Sequence, residues 1–238
     1  MSGFRLNIKT NYVDTSKPIK FTFDGKEYSG YEGDTLASAL LANGELVLAR
    51  SFKYHRPRGV YSAGSEEPNA LVSIRNEGRL EPNCTATTIE VYEGLQTHSQ
   101  NAWPSLEFDI MAINQWFSPL LVAGFYYKTF MGTGQKFWHF CEHFIRRAAG
   151  MGKAGLIADP DRYEKSNIFT DVLIIGAGPA GLNAAKEMIS SSKKILIVDE
   201  NKHLGGSLAE ESGTIDGITS DAWLADTLNS LSDCENVN

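Results

Sequence analysis

Cysteine is scarce in this 238-residue chain: Cys84, Cys141 and Cys234 stand far apart. That number and spacing exclude a disulfide framework and point to a reducing compartment. The N-terminus, MSGFRLNIKT, lacks the apolar core of an export signal. Both absences lead to the expectation of a cytoplasmic protein. Positive charge is not in excess either. The net charge of −7 argues against nucleic acid and anionic membranes as partners. Apolar length is limited: Ile110–Tyr127 has 18 residues without a charge, but Asn114, Gln115, Ser118, Pro119 and Gly124 interrupt it. It reads as a segment that docks against a partner or another domain, and not as a membrane span.

What is present is ordinary for a globular protein of one to two domains, with 42% hydrophobic and 21% charged residues. The most informative stretch is Asp171–Glu200. Apolar Val172–Ile175 runs into Gly176-Ala-Gly178-Pro-Ala-Gly181. A helical pattern (Leu182, Ala185, Met188, Ile189) follows, and a second apolar run, Ile195–Val198, ends in Asp199-Glu200. Strand, glycine turn, helix, strand and acid together form a dinucleotide-binding fingerprint. Gly176 permits the tight turn, Gly178 lets a pyrophosphate approach the backbone, and Gly181 lets the helix pack closely on the strand. The phosphates would sit on the free N–H groups of that helix. Glu200 lies 19 residues after Gly181, where a carboxylate can accept from ribose hydroxyls, and Asp199 could serve equally. His203-Leu-Gly205-Gly206-Ser207 suits a loop folding back over the same ligand. The motif alone does not separate NAD from FAD.

Earlier in the chain, residues 1–15 read as a polar arm. Ile19, Phe21 and Phe23 alternate on one strand face, Asp24-Gly25 is a hairpin turn, and Lys26–Tyr31 is the return strand. Asp34 is placed to cap a helix with Leu36, Ala37, Leu40 and Leu41 on its apolar face, ended by Asn43-Gly44. Further strands are expected at Ala70–Arg75 and at Thr85–Tyr92, where Thr87, Ile89 and Val91 share a face. This order describes a small α+β domain of the β-grasp type. The run Arg50–Arg58 puts five basic or protonatable groups in nine residues. It reads either as a solvated loop or as a docking site for an anion.

The β-grasp pattern resembles that of [2Fe–2S] ferredoxins, whose cluster needs thiolates grouped in one loop. The corresponding loop, Ser62–Ala70, has no cysteine. The expectation is therefore a domain without an iron–sulfur cluster. His139 and His143 sit at i, i+4 in a helical stretch, Gln135–Arg147, but not in HExxH order, so no metal ligand is assigned. Gly150–Gly155 reads as a flexible joint and Asp159–Glu164 as an exposed linker. Near the end, Ser220 is placed to cap a helix with Trp223, Leu224, Thr227, Leu228 and Leu231 on one face. A third strand for the nucleotide-binding unit is missing, so the chain is expected to be the N-terminal part of a longer protein. The expected organisation is a cluster-free β-grasp domain over 1–95 and an apolar and helical connecting segment over 96–168. The start of a Rossmann-like FAD/NAD-binding domain, incomplete in this chain, covers 169–238.

The order of these pieces resembles the α subunit of heterotetrameric sarcosine oxidases. The residues that carry the likeness are Arg50-Ser-Phe-Lys-Tyr-His-Arg-Pro-Arg-Gly59, Glu67-Pro-Asn-Ala-Leu-Val72, Pro82-Asn83 with Ala86-Thr87, Asn101-Ala-Trp-Pro104, the glycine turn, and Val198-Asp-Glu200 with Gly205-Gly206. The resemblance implies an enzyme complex that oxidises sarcosine with O₂ to glycine and H₂O₂ and passes the one-carbon unit to tetrahydrofolate. It implies FAD and covalent FMN elsewhere in the complex, with amine oxidation centred on the β subunit. The α subunit would hold NAD and, in its C-terminal part, a folate-binding domain. Partners would be the β, γ and δ subunits and the rest of the α subunit. The NAD contacts it implies fall on Ala180, Asp199, Glu200, Asn201 and Ser207, which join Gly176, Gly178 and Gly181 of the fingerprint as candidate cofactor residues. Asn201 stands where the family often has Arg, and Ser207 where it has threonine. No catalytic residue is assigned. The alternatives are an FAD-binding subunit of a related amine, opine or hydroxyproline oxidase, or a truncated nucleotide-binding module without catalysis.

Overall fold

The computed structural model describes residues 4–6, 12–124, 134–148, 150–152, 155–159, 161–209 and 213–238. The chain divides into two compact units, Met1–Asp161 and Arg162–Asn238.

In the first unit, β1 (Asp14–Phe23) and β2 (Lys26–Glu32) form an antiparallel hairpin. Asp24 and Gly25 both adopt positive φ, +48° and +78°, as a two-residue turn matching strand twist requires. Alternation along β1 turns Phe21 and Phe23 into the core, with Ile19 packed at its edge. Helix α1 (Leu36–Ala42) buries Leu36, Ala37, Ala39 and Leu40 against the same core. Each fully buried Phe or Leu side chain here contributes about 1.5–3 kcal/mol.

Thr35, rather than Asp34, caps α1: its hydroxyl accepts from the Ser38 N–H at 3.2 Å. Asp34 is buried and accepts instead from Arg5 Nη2 (2.5 Å), the Tyr31 N–H (2.9 Å) and Ser38 Oγ (2.8 Å). An Asp held by an arginine and a strand amide is not available as a cap. The expected arm is thus tied to the domain at Arg5, and β1 already begins at Asp14.

A short ladder joins β3 (Ala49–Arg50) to β4 (Pro57–Arg58). Then β5 (Leu71–Asn76), β6 (Arg79–Thr85) and β7 (Gln96–Ser99) complete a five-stranded mixed sheet, ordered β2-β1-β7-β5-β6. The one parallel pairing in it is β1 with β7. The segment expected as a strand at Thr85–Tyr92 is not one beyond Thr85. Its carbonyls serve the start of α1: Leu36 N–H donates to Ile89 O and Ala37 N–H to Ala86 O. Helix ends leave such N–H groups without intrahelical partners, and this segment supplies them.

Helix α2 (Gln135–Ala148) follows. The expected flexible joint is bound to the sheet: Gly152 N–H donates to Asn83 Oδ1, and Gln100 Nε2 donates to Gly150 O. A Cβ at Gly152 would lie 2.1 Å from Pro82 Cβ, so glycine serves close packing there. No described helix is long and apolar enough to cross a membrane. Residues 125–127 of the charge-free stretch lie outside the described residues. Before them, Trp116, Phe117 and Leu120 are exposed.

In the second unit, β8 (Val172–Ile175) and β9 (Ile195–Val198) pair in parallel, joined by helix α3 (Pro179–Met188). A small ladder, β10 (Thr214–Ile215) with β11 (Ile218–Thr219), precedes helix α4 (Ser220–Ser232). Thr219 caps α4, one residue before the expected Ser220. Trp223, Leu224 and Leu231 of α4 pack with Leu182 and Ala185 of α3. The expected absence of a third strand is corrected in part. Ile195 N–H donates to Asn236 O, Ile197 N–H to Asn238 O, and Asn238 N–H returns to Ile195 O. Residue 237 thereby bridges β9 in parallel, on the side away from β8.

Candidate functional site

The glycine turn is built from the end of β8. Gly176 has φ +96°, and its N–H donates to Val198 O at 2.8 Å, which ties the turn to β9. Gly178 takes extended backbone as the residue before α3, and Pro179 opens the helix, where its missing N–H has no cost. A Cβ at Gly181 would lie 2.0 Å from Gly176 O, so only glycine permits this helix to approach this strand. A Cβ at Gly178 would meet nothing within 4 Å. The space in front of Gly178 is therefore open, beside the first N–H groups of α3.

The loop after β9 closes over the turn. Gly205 N–H donates to Ala177 O at 2.8 Å, and a Cβ on Gly206 would come 3.1 Å from Gly178 Cα. The two acids of the motif take different places. Asp199 Oδ2 accepts from the Ala177 N–H (2.6 Å), and Oδ1 accepts from the N–H (2.7 Å) and Nδ2 (3.0 Å) of Asn201. The Ala177 amide, then the Asn201 amide, hold its carboxyl below the usual range. Glu200 is exposed, with no partner among the described residues. Of the two acids left open by sequence, Asp199 fastens the turn and Glu200 is the one free for a ligand. Ala180, Asn201 and Ser207 are exposed around the same turn.

The basic run takes neither expected form as a whole. Arg50 turns inward: its guanidinium donates to Leu106 O and to His55 O. His55 is 2% exposed, and its Nδ1 donates to Asp109 Oδ2 at 2.6 Å. Asn101 Nδ2 donates to Arg50 O. The runs around Arg50 and around Asn101–Asp109 thus fasten each other. Arg56 and Arg58 remain exposed.

Sequence reasoning missed Glu67. It is 4% exposed, and its carboxylate accepts four backbone N–H groups: Tyr61 (2.6 Å), Ser62 (2.7 Å), Asn69 (2.6 Å) and Ala70 (3.1 Å). The available signal was an acid inside a loop bounded by Gly64 and Pro68, where polar backbone must find partners. Among the described residues, no group of three or more His, Cys, Asp or Glu could hold a metal ion.

Residues 16–102 match a family model described as a 2Fe-2S iron-sulfur cluster binding domain, and residues 171–231 match one described as an FAD dependent oxidoreductase. Over 237 residues the chain is 53% identical to the sarcosine oxidase subunit alpha of Rhizobium meliloti (strain 1021), covering 100% of this chain and 24% of that one. It is 34% identical to the subunit of that name from Corynebacterium sp. (strain P-1), over 94% of this chain and 18% of that one. It therefore spans about a quarter or less of these relatives' length. A crystal structure of L-proline dehydrogenase from P. horikoshii shares the fold, with a TM-score of 0.54 at 21% identity, over 93% of this chain and 32% of that one.

The first match corrects the expected absence of an iron–sulfur cluster: the matching family is a cluster-binding one and points to such a cluster. The residues of this segment do not by themselves fit the group. Ser62, Glu67 and Ala70 stand at the C-x4-C-x2-C spacing of plant-type clusters, and Cys84 is the one cysteine between residues 16 and 102. No step is derived through a cluster.

Proposed function

We propose, from the premise that this chain is homologous along its whole length to sarcosine oxidase α subunits, that it belongs to the α subunit of a multi-subunit sarcosine oxidase and holds the first part of that subunit's dinucleotide site. The reaction of the whole complex would convert sarcosine, O₂ and tetrahydrofolate to glycine, H₂O₂ and 5,10-methylenetetrahydrofolate. The β, γ and δ subunits would be its partners in the cytoplasm. This chain supplies binding and no catalytic residue. The β-grasp domain extends past the expected boundary at 95, because β7 (Gln96–Ser99) belongs to its sheet; the rest of the first unit, to Asp161, acts as the connecting segment, and Arg162–Asn238 as the nucleotide-binding part.

The observation that carries the site is the open ground at Gly178, where a Cβ would meet nothing, together with an exposed Glu200 that has no partner among the described residues. The pyrophosphate would lie on the N–H groups at Ala180 and Gly181, with Gly176 and Gly178 leaving room for it. Glu200 would accept from the adenosine ribose, while Asn201 and Ser207 would line the same side. Asp199 would position the turn through Ala177. NAD is the dinucleotide in this reading. A second reading, FAD at the same turn, is favoured by the match of residues 171–231 to the FAD dependent oxidoreductase model.

The test is extraction of the nucleotide from the purified whole protein, with and without Gly178→Val. NAD lost in the variant supports the first reading. Flavin lost in the variant, with NAD absent from both, moves the site to FAD. Equal nucleotide content in both proteins removes the site from this turn.

A further inference from the structure

The loop from Tyr61 to Ala70 folds around one carboxylate. Its turns, including Gly64 at φ +62°, aim the N–H groups of residues 61 and 62 at one oxygen of that carboxylate and those of 69 and 70 at the other. Thr87 Oγ1 donates to Gly64 O and fastens the far side of the loop to the chain beyond β6. A concavity of converging backbone N–H groups is an anion site. Neutral chain seldom arranges four amides in this way, because unpartnered buried N–H groups are costly. The Oγ of Ser62 is also buried and without a hydrogen-bond partner among the described residues.

We propose that residues 61–70 form an oxyanion-binding cradle whose resident anion is the carboxylate of Glu67. The occupant is a carboxylate, supplied by the chain and held by geometry that does not depend on the rest of the side chain. The cradle therefore accepts a free carboxylate of the same size once Glu67 is cut back. Glu67→Ala removes one methylene and the carboxylate, a fragment the size of acetate. The inference does not rest on the dinucleotide reading, since no residue of the glycine turn enters it.

The experiment is hydrogen exchange of peptides covering 61–70, followed by mass spectrometry on the whole protein. In Glu67→Ala, exchange at this loop should accelerate by at least about 100-fold, the factor set by losing near 3 kcal/mol of local protection. Added acetate should restore slow exchange with a saturable dose response. Acetamide, and sodium chloride at equal ionic strength, should leave exchange fast. Glu67→Gln keeps the space filled, so its faster exchange should not respond to acetate. Rescue by acetamide or chloride as strong as by acetate overturns the proposal, as does no rescue at all. If Glu67→Ala does not fold with or without acetate, the unmodified protein decides. Slow exchange at Tyr61, Ser62, Asn69 and Ala70 upholds the cradle, and fast exchange there overturns it.

Discussion

The loop at 61–70 and the glycine turn both gather backbone N–H groups, and they differ in where the anion comes from. In the loop at 61–70 the amides close on Glu67, which is buried and saturated with donors. At the glycine turn the chain's own acid, Asp199, takes only the Ala177 amide of the turn, while Gly178 faces open space. Backbone N–H groups are obligatory donors wherever water is excluded. A site that must stay available to a ligand therefore leaves its donors at an accessible helix end. A site that serves the fold brings its acceptor along.

The largest expected effect breaks the open half of this comparison. Gly178→Val should weaken dinucleotide binding by at least about 100-fold, because its side chain stands where a pyrophosphate would lie. The hairpin β1–β2 and its core share no residue with the turn, so their amide exchange should not change. Isothermal titration with NAD and with FAD, alongside exchange at residues 14–32, checks both halves.

Next comes the closed half. Glu67→Gln should destabilise the first unit by about 2–3 kcal/mol, because the new amide presents N–H where the loop presents N–H. Burial pushes the Glu67 carboxyl up, but the amides of Ser62, Asn69, Tyr61 and Ala70 more than offset this and hold it below the usual glutamate range. With the folded value below the unfolded one, its stabilisation is complete above the ordinary glutamate range. It is lost as pH falls through the folded value. Denaturant melts across that acid window should show a steeper slope in the native protein than in Glu67→Gln.

A smaller effect belongs to Glu200. Glu200→Gln should weaken dinucleotide binding by about tenfold, the cost of turning a charged acceptor into a neutral one. Stability without ligand should not move, since Glu200 has no partner among the described residues. A parallel loss of ligand-free stability would place Glu200 with the closed kind of site.

Which parts of this were legible in the sequence follows from where the relevant forces act. The β1–β2 hairpin and the β8–α3–β9 unit were legible because alternation, a turn dipeptide and glycine spacing are local chemistry. β7 was not. Gln96–Ser99 is wholly polar, yet Thr97 is fully buried at the centre of the sheet, its hydroxyl donating to Thr22 O. A polar residue reads as surface unless its partner, 75 positions away, is known. β6 was hidden by Pro82, which an edge strand tolerates. Thr85–Tyr92 misled in the opposite sense: Thr87 and Val91 do face inward, but the backbone there serves α1. In the candidate site, the motif named the residues but could not assign the two acids, because that depends on which one the Ala177 amide captures. Glu67 carried only the weak signal of an acid inside a turn-rich loop, since its four donors come from both sides of that loop.

The smallest expected effect lies between the two kinds of site. Asp199 resembles Glu67 in accepting backbone amides, and its carboxyl is likewise held below the usual range, here by Ala177 first and then Asn201. It differs in having two backbone donors and in standing half-exposed, where water competes for both. Asp199→Asn keeps an oxygen that can still accept from Ala177, so the turn should persist. Dinucleotide affinity should fall by only about twofold to fivefold, the range expected when a charged acceptor at an exposed position becomes neutral. Its share of stability has the same sign as that of Glu67: present above the ordinary aspartate range and lost as pH falls through the lower folded value. Being more solvated, that share should give a shallower acid slope. If Asp199→Asn instead removes as much binding as Gly178→Val, Asp199 touches the ligand itself. The division of labour between the two acids would then be reversed, with Glu200 as the bystander.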